Sequence, residues 1–265
     1  MMEVISRRLP AADLIQIVPF GDLHEGTPAS DWGSFTRMLK WAEKTPNLYL
    51  LGMGDLMDSI IATDRRYDAS MRATPILKSV TRLRDALMPV KDKILGMHTG
   101  NHERKMAKMG FGDPIEMLCH ELGVPFLMYS AFIRLTVTGR GCSNQKVIFS
   151  HHGWFAGRLT GGAVNAIKSL PSSWEADIYL CAHSHKRWED SGVIVTPYGQ
   201  RKLIFGMTGS FCKTAPGGCI TYSEEKGYPP LRMGVIRVEW MPFKKRRVSE
   251  TEHDRRARGD LHIVS

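Results

Sequence analysis

The sequence predicts an α/β fold, on three observations. Short apolar runs alternate with longer amphipathic ones through the first half, as strands and helices do when they are interleaved. From Phe132 onward the pattern turns to closely spaced β-rich runs, which implies a second sheet. No internal repeat or low-complexity segment is present, which argues against a solenoid or propeller.

Asp13–Phe20 (DLIQIVPF) reads as the first strand. A helix over Asp31–Lys44 follows, capped by Ser30 or Asp31, and Asn47–Leu51 (NLYLL) makes a second strand. Ala69–Leu87 reads as a helix interrupted near Pro75, and Lys93–Met97 as a third strand that runs straight into Gly100, Asn101 and His102. Pro114–Leu122 is a further helix. The later strand candidates are Phe132–Thr138, Lys146–Ser150, Ile178–Cys181, Val193–Thr196, Leu203–Met207 and Met233–Trp240.

With 265 residues, 43% hydrophobic and 24% charged, the chain has the composition of a globular protein able to bury a substantial core, and one domain is expected. No apolar run approaches the ~20 residues of a membrane-spanning helix, so no membrane partner is expected. Met1–Pro10 lacks the apolar stretch and cleavage site of a secretory signal, which makes a cytoplasmic location the expectation. Five cysteines without a CxxC pair point to reduced thiols. The net charge of +9 suits an anionic substrate such as nucleic acid. Part of that charge sits in Lys244–Asp260, where seven Lys or Arg face four Asp or Glu, so 244–265 reads as a charged tail, either solvated or a nucleic-acid arm.

Chemistry-bearing residues collect at the ends of the predicted strands. Asp22 and His24 (GDLHEG) follow the first, where alternate residues project to one side and could grip a cation; a pair of this kind also caps helices or closes turns. Asp55 and Asp58 (GMGDLMD) follow the second, at the edge where open α/β sheets bind ligands, although Asp58 could equally cap a helix. GNHE, residues 100–103, follows the third, and the Asn101 carbonyl is a hard oxygen ligand. His151-His152-Gly153 and Ala182-His183-Ser184-His185 close two later strands. Six of the ten histidines thus lie at strand ends, which favours mixed oxygen and nitrogen ligation of a transition metal. His98, His120, His253 and His262 read as ordinary surface or turn residues. Gly153–Ala163, with Trp154 and Phe155, reads as a substrate loop whose aromatic pair either packs beneath the site or stacks on a base.

DxH, GDxxD, GNHE, HG and AHSH, in this order from Asp22 to His185, resemble the five blocks of the calcineurin-like metallophosphoesterases. Ala182 stands where that family usually has glycine. The resemblance implies two facing β-sheets flanked by helices, a four-layer α/β/β/α sandwich covering residues 1–243. It implies that Asp22, His24 and His185 hold one metal, that Asn101, His152 and His183 hold another, and that Asp55 bridges them. His152 is preferred to His151 because it directly precedes the glycine. The cofactors implied are two divalent transition-metal ions, manganese first among Mn, Fe, Zn, Ni and Co.

The activity implied is hydrolysis of phosphate esters by a hydroxide between the metals, with His102 and Asp58 as a catalytic pair outside the ligand set. The protein phosphatase branch continues its second block with Arg-Gly, where this chain has Ser59 and Ile60. Arg104, His151 and Arg158, with Arg65 and Arg66, are the remaining candidates for substrate contact. Phosphodiesters, nucleic acid among them, are favoured over monoesters. The alternatives are a phosphomonoesterase and a non-catalytic scaffold of the same fold.

Overall fold

The computed structural model describes residues 2–60, 67, 75–155, 157–197, 199–243 and 260–264. Two mixed β-sheets face each other, with helices on both outer surfaces. One sheet contains β2 (Ile15–Phe20), β3 (Leu48–Gly52), β4 (Ile94–Met97), β10 (Arg237–Met241) and β11 (Asp260–Val264), in the order β11-β10-β2-β3-β4. The other contains β1 (Glu3–Leu9), β5 (Ser130–Gly139), β6 (Cys142–His151), β7 (Ile178–Cys181), β8 (Arg187–Thr196) and β9 (Gly199–Thr208), in the order β1-β5-β6-β7-β9-β8. Parallel β2, β3 and β4 all point their C-terminal ends one way, as do parallel β6, β7 and β9 in the second sheet.

The apolar patterning accounts for the layers. Ile15, Ile17 and Leu51 of one sheet meet Ile133, Leu135, Ile148, Ile178 and Leu180 of the other in a core between the sheets, closed by Trp240. Val18, Phe20, Leu48 and Leu50 point to the opposite face and pack under α1 (Trp32–Lys44), α2 (Ile76–Leu87) and α4 (Pro114–Leu122). In α1 the buried Phe35, Met38, Leu39 and Ala42 fall on one helical stripe, and Asp31 caps the helix by accepting from Ser34 N at 3.0 Å. On the far side Ala163 and Ile167 of α5 (Thr160–Ser169) cover Phe149, Tyr179 and Phe205. The layers are therefore α/β/β/α, as the resemblance implies.

Several elements depart from the sequence expectation. Strand β1, parallel to β5, was not anticipated, because six of its seven residues are not buried and no apolar alternation marks it. Within the segment expected as a charged tail, Asp260–Val264 forms β11 against β10, while 244–259 lie outside the described residues. The expected loop over Gly153–Ala163 gives way at Thr160 to α5, where burial of Ala163 and Ile167 offsets the helix cost of Gly161 and Gly162. Strand β10 starts at Arg237 instead of Met233, after Gly234 at φ 109°. The expected helix from Ala69 is described only from Ile76, with Pro75 as its N-cap residue; 68–74 are outside the described residues. All five cysteines are free thiols. No helix among the described residues is long and apolar enough to cross a membrane.

Candidate metal centre

The loops after β2, β3, β4, β6 and β7 converge on one buried cluster. Pairing continues past the strand ends: Asp22 N donates to Gly54 O at 3.0 Å, His24 N to Asp55 O at 3.0 Å, and Ala182 N to His152 O at 2.8 Å. Close approach depends on two glycines. A Cβ on Gly54 (φ 89°) would lie 2.7 Å from both Gly100 N and His152 Nδ1, and one on Gly100 would overlap Asp55 Oδ1.

Backbone conformation singles out the same residues. Eight non-glycine residues among those described have positive φ, and five of them are Asp22 (47°), His24 (50°), Asp55 (50°), His183 (67°) and His185 (57°). Each such conformation costs of order 1 kcal/mol or more and persists only where the surroundings enforce it, as they do at functional sites.

The side chains meet in two halves. Asp22, His24 and His185 form one group and Asp55, His152 and His183 a second, each with donor atoms within 4.8 Å of one another. In the first, His24 Nε2 and His185 Nε2 are 3.0 Å apart, and Asp22 Oδ1 is 3.5 Å from His185 Nε2. In the second, His152 Nε2 is 3.1 Å from Asn101 Oδ1 and 3.4 Å from Asp55 Oδ2. The same Asp55 Oδ2 lies 4.0 Å from His24 Nε2, between the halves.

Each carboxylate divides its oxygens. Asp22 Oδ2 accepts from His183 N at 3.0 Å, while Asp22 Oδ1 is buried without a hydrogen bond. Asp55 Oδ1 accepts from His102 N at 2.9 Å and turns Oδ2 to the imidazoles. His152 Nδ1 donates to Met53 O at 2.7 Å, so that the neutral ring, the form that binds a metal, has its lone pair on Nε2, facing the cluster. An orphaned buried oxygen among imidazole nitrogens is costly unless a cation neutralises it, so this donor set fits divalent metal ions.

His102 and Asp58 stand beside the cluster, with His102 Nδ1 2.9 Å from Asp58 Oδ1 and the His102 ring 4.5 Å from that of His24. His24, Asp58 and His102 also lie close enough to hold an ion. His151 is turned away: its Nδ1 accepts from Gly153 N at 2.8 Å and its ring meets Trp154 at 4.9 Å. Arg104 is half-buried in α3 (Asn101–Lys108), Arg158 is exposed, and Arg65 and Arg66 lie outside the described residues.

Electrostatics follow from burying this many ionisable groups together. Burial raises the Asp22 carboxyl well above the usual range, against the pull of His152. Burial would also raise Asp55, but the charges of His152, His102 and His24 outweigh it and hold Asp55 well below that range. His152 shows the counterpart: burial lowers it, while Asp55 and Asp22 raise it to about 9. Burial and neighbouring imidazoles lower His24 well below its ordinary value, and burial lowers His185 to about 4.

Three residues have structural roles that the sequence alone does not assign. Glu103 is fully buried, its Oε2 accepting from Gly100 N (2.9 Å) and Asp55 N (3.1 Å) and its Oε1 from Met57 N (2.9 Å), so it holds the Asp55 loop against the GNHE turn. Its place three residues after Gly100, the N-cap of α3, is the signal that could have found it. His98, expected at the surface, is fully buried between the sheets, with Nε2 2.8 Å from Ser150 Oγ and Nδ1 3.2 Å from Met128 O. Lys186 Nζ donates to Gly157 O and Leu159 O, both at 2.8 Å, and anchors the loop after Gly153.

No family model and no curated protein matches the chain. Solved structures with partial likeness include a predicted phosphoesterase from Streptococcus pneumoniae (17% identity, 86% of this chain and 84% of that one, TM-score 0.34). A metallophosphoesterase from Sphaerobacter thermophilus is similar at 12% identity over 95% and 88% of the two chains, with TM-score 0.39. GAP50 of Plasmodium is similar at 11% identity over 86% and 81%, with TM-score 0.44. The two facing sheets with helices on their outer surfaces are the layering that the sequence resemblance implies.

Proposed function

We propose that this protein is a metal-dependent phosphoric ester hydrolase with a dinuclear centre. Asp22, His24 and His185 would hold one divalent cation and Asn101, His152 and His183 a second, with Asp55 Oδ2, which faces both His24 and His152, available to both. The observation that carries this reading is the division of labour in Asp22 and Asp55: each carboxylate gives one oxygen to a backbone N–H and aims the other at imidazole nitrogens. Two cations bound there would acidify a water for attack on phosphorus and offset charge on the phosphoryl oxygens, and manganese suits the mixed ligation.

The chain's own groups supply positioning and proton transfer. Asp58 accepts from His102 Nδ1–H at 2.9 Å and holds the ring so that Nε2 is free to serve a leaving oxygen. Glu103 keeps Asp55 and Asn101 in register by gripping the backbone of both loops. Phosphodiesters are the preferred substrates in this reading, with nucleic acid among them. Ser59 and Ile60 follow Asp58 where a phosphatase arginine would stand, and the net charge of +9 attracts polyanions.

The test is a panel of protein reconstituted with Mn, Fe, Zn, Ni or Co against aryl phosphate mono- and diesters, cyclic nucleotides, single strands and duplexes. Metal-dependent diester hydrolysis exceeding monoester hydrolysis is the expected result. A monoester preference would overturn the substrate assignment, and inactivity with every metal would overturn the hydrolase reading in favour of a scaffold.

A further inference from the structure

Beside the metal cluster, on the outer face of the sheet containing β6, lies a cavity of about 310 Å³ that the proposed chemistry leaves unused. Its walls are aromatic: Trp154, Trp174, Phe149 and His151, with the hydroxyls of Ser130 and Ser173 among its polar groups. No Lys, Arg, Asp or Glu among the described residues lines it, so it offers no charged side chain to pair with a phosphate.

The aromatic rings present usable faces. Phe149 stacks on Trp174 at 5.2 Å with planes 15° apart, which backs one side of Trp174 while the residue as a whole stays 36% exposed. Trp154 is 51% exposed although it sits in a chain of ring contacts with His151 and Phe155. Both tryptophans thus leave apolar surface open at the cavity, where a planar ring could stack. His151 adds a donor: its Nδ1 accepts from Gly153 N, so the neutral ring carries its hydrogen on Nε2.

Position ties the cavity to the cluster. His151 and His152 are consecutive and face opposite sides of the strand end, and the Tyr129 ring spans them, 5.2 Å from His151 and 5.3 Å from His152. His152 N donates to Tyr129 O at 3.0 Å, which fixes that arrangement. The Tyr129 ring thus stands between the cavity wall at His151 and the cluster at His152.

We propose that this cavity is a base-binding subsite that takes a neutral, planar heteroaromatic ring, the nucleobase of a nucleoside phosphodiester. This deepens, and rests on, the hydrolase reading above. Stacking on Trp154 and Trp174 supplies the affinity and tolerates any base, while the hydroxyls and His151 Nε2–H meet the polar edge of the ring.

The experiment compares two diesters with one leaving group, thymidine 5′-(4-nitrophenyl) phosphate and methyl 4-nitrophenyl phosphate, on the Mn-reconstituted protein. Trp154→Ala is expected to lower the ratio of kcat/KM for the nucleoside ester to that for the methyl ester by about 10-fold, mainly through KM, with Trp154→Phe retaining most of it. An unchanged ratio overturns the subsite. So does an equal loss on both esters, since the nitrophenyl ring they share would then be the occupant.

Binding of thymidine and adenosine, followed by tryptophan fluorescence, judges the cavity independently of catalysis. Saturable binding weakened at least 5-fold in Trp174→Ala supports the subsite even if neither ester is hydrolysed, in which case the hydrolase reading alone fails. Absence of saturable binding at millimolar nucleoside overturns it.

Discussion

Removing the His102 imidazole should separate metal binding from turnover. His102 lies outside both halves of the proposed dinuclear centre, yet its backbone N–H holds Asp55 Oδ1 at 2.9 Å and its Nδ1 lies 2.9 Å from Asp58 Oδ1. His102→Ala keeps the backbone contact and deletes the ring, so metal content should stay near the wild-type value. Turnover should fall by about 10²–10⁴, the usual contribution of a positioned acid. Asp58→Asn keeps the ring and weakens its orientation. A hydrogen bond to a charged partner at this distance contributes about 1.5–3 kcal/mol, so roughly 10- to 150-fold of the rate should go. The assay is single-turnover hydrolysis of a diester series with leaving groups of graded basicity, alongside metal analysis of each variant. Good leaving groups should be slowed least, because an oxygen that is already weakly basic gains little from protonation. Equal slowing across the series, or loss of metal in His102→Ala, would refute the general-acid assignment.

Three other perturbations test the surrounding structure. Asp55→Asn removes the charge lying 3.4 Å from His152 and 4.0 Å from His24, and should abolish activity and lower metal occupancy; two retained ions with near-normal turnover would contradict it. Glu103→Ala leaves the N–H groups of Asp55, Met57 and Gly100 without their acceptor, so stability should drop by about 3 kcal/mol or more, seen as a Tm lower by about 6–12 °C. An unchanged Tm would show that Glu103 does not hold the loops. His98 is lowered from 6.5 to about 3 by burial, so the unfolded chain takes up that proton below about pH 6.5 while the folded chain does not until about pH 3. Stability should therefore decline as pH falls through this window, by up to about 1.4 kcal/mol per pH unit from this group, and His98→Gln should flatten that part of the denaturant-unfolding profile. An acid limb as steep as wild type would exclude the contribution.

The legible parts of this protein are those where chemistry and local pattern coincide. Asp22, Asp55 and Asn101 each follow a compact apolar run, so strand and site announce each other, and Asp113-Pro114 to Gly123 carries a start and a stop for α4 in its own residues. The cap at Asp31 was readable for the same reason. What stayed hidden depends on distant partners. The exposed residues of β1 become a strand only because β5 pairs with them, and β11 owes its place to β10. His98 looks like a turn residue until Ser150 arrives from the other sheet, and nothing local in Thr160–Gly162 signals that Ala163 and Ile167 of α5 will be buried against Phe149, Tyr179 and Phe205. The positive φ of Asp22, His24, Asp55, His183 and His185 is likewise a tertiary property, imposed by loops that interlock across two sheets.

Mn²⁺ titration of metal-free protein followed by electron paramagnetic resonance asks whether two cations share this cluster through Asp55. Saturation is expected at about two ions per chain, with an exchange-coupled multiline spectrum emerging in place of the isolated six-line signal, because a shared carboxylate would couple the spins. Saturation at one ion, or a second ion that leaves the signal uncoupled, would contradict it.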